Sequence, residues 1–295
     1  MRERVHLLGP RKSLLALVHE PEPAPPDSRP TFVILNAGIV HRVGPHRASV
    51  RIARELAKAG FRVVRIDFSG LGDSAPRPEP LSFKEATLAD ITEILDDLSS
   101  RYRTKTFVLG GLCAGADRAF DASVRDQRVV GAIMLDGLVY PTIGFYLRHY
   151  RHRLARLDGT AALRAAKRTT AALRKRLRGS RETPPQETTV LREIPAHETF
   201  ERELQALADR GVNMCWVFTA GLPYFHNYEQ QFFDSFRRVD FKGRVTHTYF
   251  GNSNHTFTQL ESQRRLTRHI IQWANATFLT DRSGPAQTRA NAPEE

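Results

Sequence analysis

Two cysteines occur in the 295 residues, and one of them stands between glycines. The run KTFVLGGLCAGAD (105–117) is apolar up to Gly110 and Gly111, and Cys113 then lies midway between Gly111 and Gly115. An apolar run that breaks into glycines reads as a buried strand turning sharply into a helix. The residue at such a turn adopts a strained backbone, and its neighbours two before and two after must be small because strand and helix nearly touch. The turn lifts the side chain above the sheet, beside backbone N–H groups and the positive end of the following helix. Those partial charges favour a thiolate and, later in a reaction, an oxyanion. Cys113 therefore occupies the position of a nucleophile.

Other chemistries find less support. Cys215 lies inside NMCWVF and reads as a core residue. It would stand on a strand not adjacent to that of Cys113, which argues against a disulfide. Gly70-x-Gly72 lacks the third glycine of a dinucleotide fingerprint. No Cys/His or paired-carboxylate spacing suits a metal, so no cofactor is expected. A hydrophobic content of 41% with 26% charged residues is ordinary for a globular chain, and no apolar run approaches the ~20 residues of a membrane span. The first residues lack the small-residue cleavage site of a signal peptide. With free thiols, the expected location is cytoplasmic.

The formal net charge is +12, and most of it sits in one segment. Between Arg148 and Arg181 stand twelve of the 44 Lys and Arg, against Asp158 alone of the 32 Asp and Glu. Within it, AALRAAKRTTAALRKRL repeats Leu163, Ala166, Thr170, Leu173 and Leu177 at helical spacing, with a cationic surface around one apolar stripe. One reading is a cap helix with a solvated basic face. The other is a docking site for an acidic carrier protein, a phosphate-bearing thioester or an anionic surface. No recognition motif or interleaved aromatics accompany the charge, so nucleic acid is not an expected partner.

The elements that must position Cys113 follow from the hydrophobic pattern. VHLLGP and LLALVHE form a short hairpin before a Pro-rich loop. TFVILN (31–36), FRVVRID (61–67), KTFVLGG, VVGAIML (129–135), VNMCWVFT (212–219) and RVTHTYF (244–250) read as strands. Helical spacing over 46–59 stops at Gly60, and Ser82 with Glu85 makes a capping box that opens a helix through Leu98. This alternation predicts an α/β fold with a mostly parallel sheet covered on both faces and functional groups at the carboxyl ends of its strands. Residues 141–198 break the rhythm and read as a helical insertion between core segments 1–140 and 199–278. A disordered tail is expected over 279–295.

With Gly111-Leu112-Cys113-Ala114-Gly115 in place, the chain resembles the α/β-hydrolase superfamily, whose elbow is usually Gly-x-Ser-x-Gly. The cysteine variant is similar to that of dienelactone hydrolases and polyhydroxyalkanoate synthases. Asp67-Phe68-Ser69-Gly70-Leu71-Gly72-Asp73-Ser74 looks like the superfamily's Asp-x-x-Gly-x-Gly-x-Ser turn. Asn36-Ala37-Gly38-Ile39 sits where it keeps its oxyanion loop, and Asn254-His255-Thr256-Phe257 where its general base follows the last strand. GIVHRVGPHR with ARELAKAGFRVVRIDFSGLGDS more narrowly resembles hydrolases associated with exosortase systems.

The resemblance implies that His255 deprotonates Cys113 and that the backbone N–H groups of Ile39 and Ala114 hold the oxyanion. The acid is harder to place. The superfamily usually supplies an Asp after the penultimate strand, but TAGLPYFHNYEQQFFD offers no acid before Glu229. Asp136, at the end of VVGAIML, is where some members carry it, and it is the favoured candidate. Glu229, a polar substitute such as Asn227, or a dyad without an acid remain open. His41 and His46, just past the oxyanion loop, are substrate contacts or plain surface groups. The implied activity is cofactor-free hydrolysis of a small-molecule ester or thioester through an acyl-enzyme. An acyltransferase, or a binding module without turnover, is the alternative.

Overall fold

The computed structural model describes residues 1–154 and 193–279. Its spine is an eight-stranded sheet in the order β1-β2-β4-β3-β5-β6-β7-β8. The strands are β1 (Arg2–Leu8), β2 (Leu14–Glu20), β3 (Thr31–Ile34), β4 (Val63–Ile66), β5 (Phe107–Leu112), β6 (Val129–Leu135), β7 (Asn213–Thr219) and β8 (Val245–Phe250). β1 and β2 pair antiparallel as the expected hairpin, β2 joins β4 antiparallel, and β4 through β8 run parallel. The central strands β4 and β5 are buried along their whole length, as expected of a sheet covered on both faces.

The helices are α1 (Ala48–Lys58), α2 (Phe83–Tyr102), α3 (Ala114–Arg125), α4 (Ile143–Leu154), α5 (His197–Asp209), the short α6 (Gln231–Ser235) and α7 (Leu260–Phe278). One apolar layer joins α1 and α7 to the sheet through Ile52, Leu56, Leu266 and Ile270. On the other face, α2 brings Ile91, Ile94, Leu95 and Leu98 against the sheet, and α5 brings Phe200, Leu204 and Leu207. The capping box forms: Ser82 Oγ accepts from the Glu85 N–H, and Glu85 returns the bond to the Ser82 N–H. Such a cap contributes about 1 kcal/mol to helix stability. The helix continues past Leu98 to Tyr102 and ends at Arg103 in a left-handed conformation.

α4 lies at the start of the segment 141–198, with Ile143, Leu147 and Tyr150 exposed. The cationic helix expected near 161–177 and the tail from 280 lie outside the described residues. Among the described residues no helix is long and apolar enough to cross a membrane.

Candidate active site

Each strand from β4 to β8 delivers one piece of the site at its carboxyl end. After β5 the chain turns at Cys113, whose φ of 56° and ψ of −120° depart from every relaxed L-residue conformation. The two flanking glycines are sterically required. A Cβ at Gly111 would collide with the carbonyl of Gly115, and one at Gly115 would collide with the Asn36 carbonyl oxygen. The first turn of α3 thus lies directly on the loop after β3. Cys113 is the N-cap of α3, its carbonyl accepting from Ala116 and Asp117. The N–H groups of Ala114 and Gly115 belong to the first turn, where no intrahelical acceptor exists.

Asp136, the residue after β6, also has positive φ, at 46°. Its side chain is buried, and three donors converge on it. His255 Nδ1 donates to Oδ2 at 2.7 Å, the Thr219 hydroxyl to the same oxygen at 2.7 Å, and the Thr219 N–H to Oδ1 at 2.7 Å. Thr219 ends β7, where the superfamily's acid usually stands, so the carboxylate comes from one strand over and β7 supplies its donors. The Gly221 N–H in turn donates to Thr219 Oγ1 at 3.2 Å. A Cβ at Gly221 would strike the backbone of Asn254 and His255, so only glycine lets this loop close against the histidine.

His255 is also hydrogen bonded to the Cys113 side chain. Burial opposes a charge on the ring. The bonds to Asp136 and Cys113 and their negative charge outweigh it and push its pKa up to about 9. The ring is therefore protonated at neutral pH, the state that pairs with a thiolate. Cys113, His255 and Asp136 form one hydrogen-bonded chain across β5, β6 and the loop after β8.

The remaining sequence candidates are placed differently. Glu229 is exposed, Asn227 donates its amide to the Phe145 carbonyl at 3.1 Å, and the hydrogen bonds of His255 lead to Asp136 and Cys113. The loop carrying Ile39 turns at Gly38 (φ 59°), and Ile39 projects its side chain into solvent. His46 is exposed in a left-handed turn before α1. His41 belongs to a charged knot, its Nε2 lying 2.7 Å from Arg42 Nη1 and 3.4 Å from Asp73 Oδ2.

That knot is what sequence reading missed. Asp67 is fully buried, and its Oδ1 accepts from the Asn36 amide at 3.0 Å and the Arg42 N–H at 2.7 Å. Its Oδ2 accepts from the Arg42 guanidinium and, at 3.2 Å, from the Asp73 N–H. Asn36 closes the circle by accepting from the Phe68 N–H at 2.9 Å. The loops after β3 and β4 are thereby tied together. The Asp-x-x-Gly turn had flagged Asp67, but nothing in the spacing linked it to Arg42. His41, Asp67 and Asp73 bring ligand atoms within 4.8 Å of one another, a juxtaposition invisible in the sequence, and the Arg42 guanidinium supplies the positive charge among them.

Comparison with known proteins bears on the whole arrangement. Residues 36–192 match the family described as serine aminopeptidase, S33. No curated protein matches the chain. Among solved structures, an α/β serine hydrolase without lid from Xanthomonas campestris shares 15% identity over 97% of this chain and 98% of its own, at a TM-score of 0.56. The proline iminopeptidase of Mycobacterium smegmatis shares 15% over 94% and 99%, also at 0.56. The meta-cleavage product hydrolase of Pseudomonas fluorescens shares 16% over 93% and 98%, at 0.54. At such identities the likeness is one of fold, and the fold is that of the α/β hydrolases.

Proposed function

The chain belongs to the serine aminopeptidase S33 family, and from that premise we propose that it is a hydrolase in which Cys113 takes the serine's place and attacks the carbonyl of an ester or thioester. One observation carries the reading: the strained Cys113, His255 and buried Asp136 lie in one hydrogen-bonded chain.

The steps follow from the geometry. The Cys113 thiolate adds to the carbonyl carbon, and the electron pair of the C=O bond moves to oxygen. The N–H groups of Ala114 and Ile39 stabilise that oxyanion. As the carbonyl re-forms, the bond to the alkoxide or thiolate leaving group breaks, and protonated His255 gives it the proton. Neutral His255 then takes a proton from water, whose oxygen attacks the thioester carbonyl. Collapse of that intermediate releases the acid and restores the thiolate–imidazolium pair. Asp136, held by Thr219, keeps Nδ1 protonated and Nε2 turned to the sulfur. No step calls for a cofactor. Cys113 and Cys215 form no disulfide, which suits a reducing compartment, so the proposal includes a cytoplasmic enzyme.

Mass spectrometry of the protein mixed with a slowly hydrolysed ester tests this. The expected result is an acyl adduct on Cys113 that decays with release of acid. An adduct confined to Cys215, or none on Cys113 with any ester or thioester tried, overturns it. Added amines or thiols in the same assay show whether the acyl group passes to an acceptor other than water.

A further inference from the structure

Beneath the nucleophile, between the sheet and the pair α1 and α7, the core does not close. A cavity of about 40 Å³ remains there, walled by β3, β5, β6, α1 and α7. Its lining is apolar except for Ser49 and Thr256. It has room for about three waters, but walls of this kind hold no water firmly, because a buried water needs several polar partners.

The cavity is lined by chain neighbours of the site residues. Ala37, in the loop after β3, lines it, as does Thr256, the neighbour of His255. Gly111 and Leu112, immediately before the nucleophile, line it too. Cys113 itself packs against the cluster that includes Ile52, Ile133 and Leu266, all cavity walls.

Gly110 explains why the space exists. The turn at Cys113 requires Gly111 and Gly115 but makes no such demand on Gly110, which has no positive φ. A Cβ there would come within 3.3 Å of Ile133 Cβ, a tight but adjustable contact. Its missing side chain leaves the floor of the cavity open where a central strand would ordinarily fill it.

We propose that this cavity is the acyl-tail pocket, taking a short unbranched alkyl chain of about three or four carbons while the carbonyl carbon is bonded to Cys113 Sγ. The proposal rests on the acyl-enzyme reading above. It makes the preferred substrate an ester or thioester of a short aliphatic acid. A charged or hydroxylated tail would lose its hydration without gaining partners and is selected against.

The test is the series p-nitrophenyl acetate, butanoate, hexanoate and decanoate, read as kcat/KM with intact-mass detection of the acyl-enzyme. Each buried methylene should raise kcat/KM roughly fourfold until the pocket is full, and longer tails should lose the gain. Gly110→Ala should cut the butanoate-to-acetate ratio by about tenfold, and Ile133→Val, which removes one methylene from the wall, should move the optimum to a longer tail. Circular dichroism verifies folding; should Gly110→Ala fail to fold, Ile133→Val decides. Acylation of Cys113 with a ratio and optimum that neither folded variant moves overturns the pocket but leaves the acyl-enzyme standing. Absence of acylation by every ester overturns the function and the pocket with it.

Discussion

Cys215, in the middle of β7, lies 3.7 Å from His269 Nε2; Cys113, past the end of β5, is hydrogen bonded to His255. Both are cysteine–histidine pairs, and His269 even has a polar neighbour, Thr248 Oγ1 at 3.2 Å. Their surroundings differ in kind. Cys215 is wholly buried, which pushes its thiol up to about 12, and burial also lowers the pKa of His269. Among the described residues no carboxylate is hydrogen bonded to that ring, so neither member of the pair is held in its charged form. Around Cys113, the helix N-terminus favours the anion and Asp136 favours the imidazolium. On the proposed mechanism, proximity of sulfur and imidazole is not enough. A buried carboxylate with its own donors, and a backbone that lifts the sulfur out of the core, separate a reactive pair from a packed one.

Breaking the pairs one at a time gives the largest expected difference. Cys113→Ala should abolish turnover and the acyl adduct. Cys215→Ala should leave kcat/KM within about threefold and cost roughly 1 kcal/mol of stability, as for other small losses of buried volume. Thermal melting and ester turnover on the same preparations measure both. Full loss of activity in the Cys215 variant, with the fold intact, would erase the distinction.

Converting the reactive pair toward the inert one should have the next largest effect. Asp136→Asn should lower kcat/KM by roughly 10²- to 10⁴-fold. It also tests the charge on the ring. A pKa raised to about 9 means that His255 is protonated at neutral pH and loses its proton as pH rises through that value. Leaving-group protonation then fails, so kcat/KM should fall above about pH 9. Removing the carboxylate should shift that alkaline limb to lower pH. A limb that stays in place would detach Asp136 from the ring's charge.

Among changes to the reactive chain of residues, the smallest effect belongs to Thr219→Val. The variant keeps the N–H bond to Asp136 Oδ1 but loses the hydroxyl bond to Oδ2, and a drop in kcat/KM of about tenfold is expected. Thr219→Ser should restore activity and the pH profile, which a purely packing role for the side chain would not produce.

The fold was legible where it rests on local pattern. The strands β3 to β8 announce themselves as apolar runs, and the Ser82–Glu85 cap marks its helix start to the residue. Cys113 was legible for the same reason, because the steric demand at Gly111 and Gly115 is local. Asp136 was the favoured acid, but alternatives stood beside it. Its pairing with His255 depends on the order of β6, β7 and β8 and on a left-handed backbone that no short window of sequence reveals. Thr219 carried no signal at all, since a threonine ending a strand is ordinary until a carboxylate from the next strand is seen against it. The knot of Asp67, Arg42 and Asn36 escaped for a related reason, being an ion pair between two loops 25 residues apart.

The sheet order has a consequence for how the protein comes into being. From β5 outward, β6, β7 and β8 stand in the sheet in the order in which they are synthesised, each beside its predecessor. A nascent chain can build the Cys113 turn once α3 and the strands up to β5 have emerged. The carboxylate follows with β6, and Thr219 with β7. His255 arrives last, 119 residues after Asp136, in the loop between β8 and α7. Until that final segment leaves the ribosome the thiol has no base and no partner for its charge. On the proposed mechanism, prematurely released chains carry a sulfur that cannot turn over acyl compounds, and catalytic competence arrives together with the completed fold.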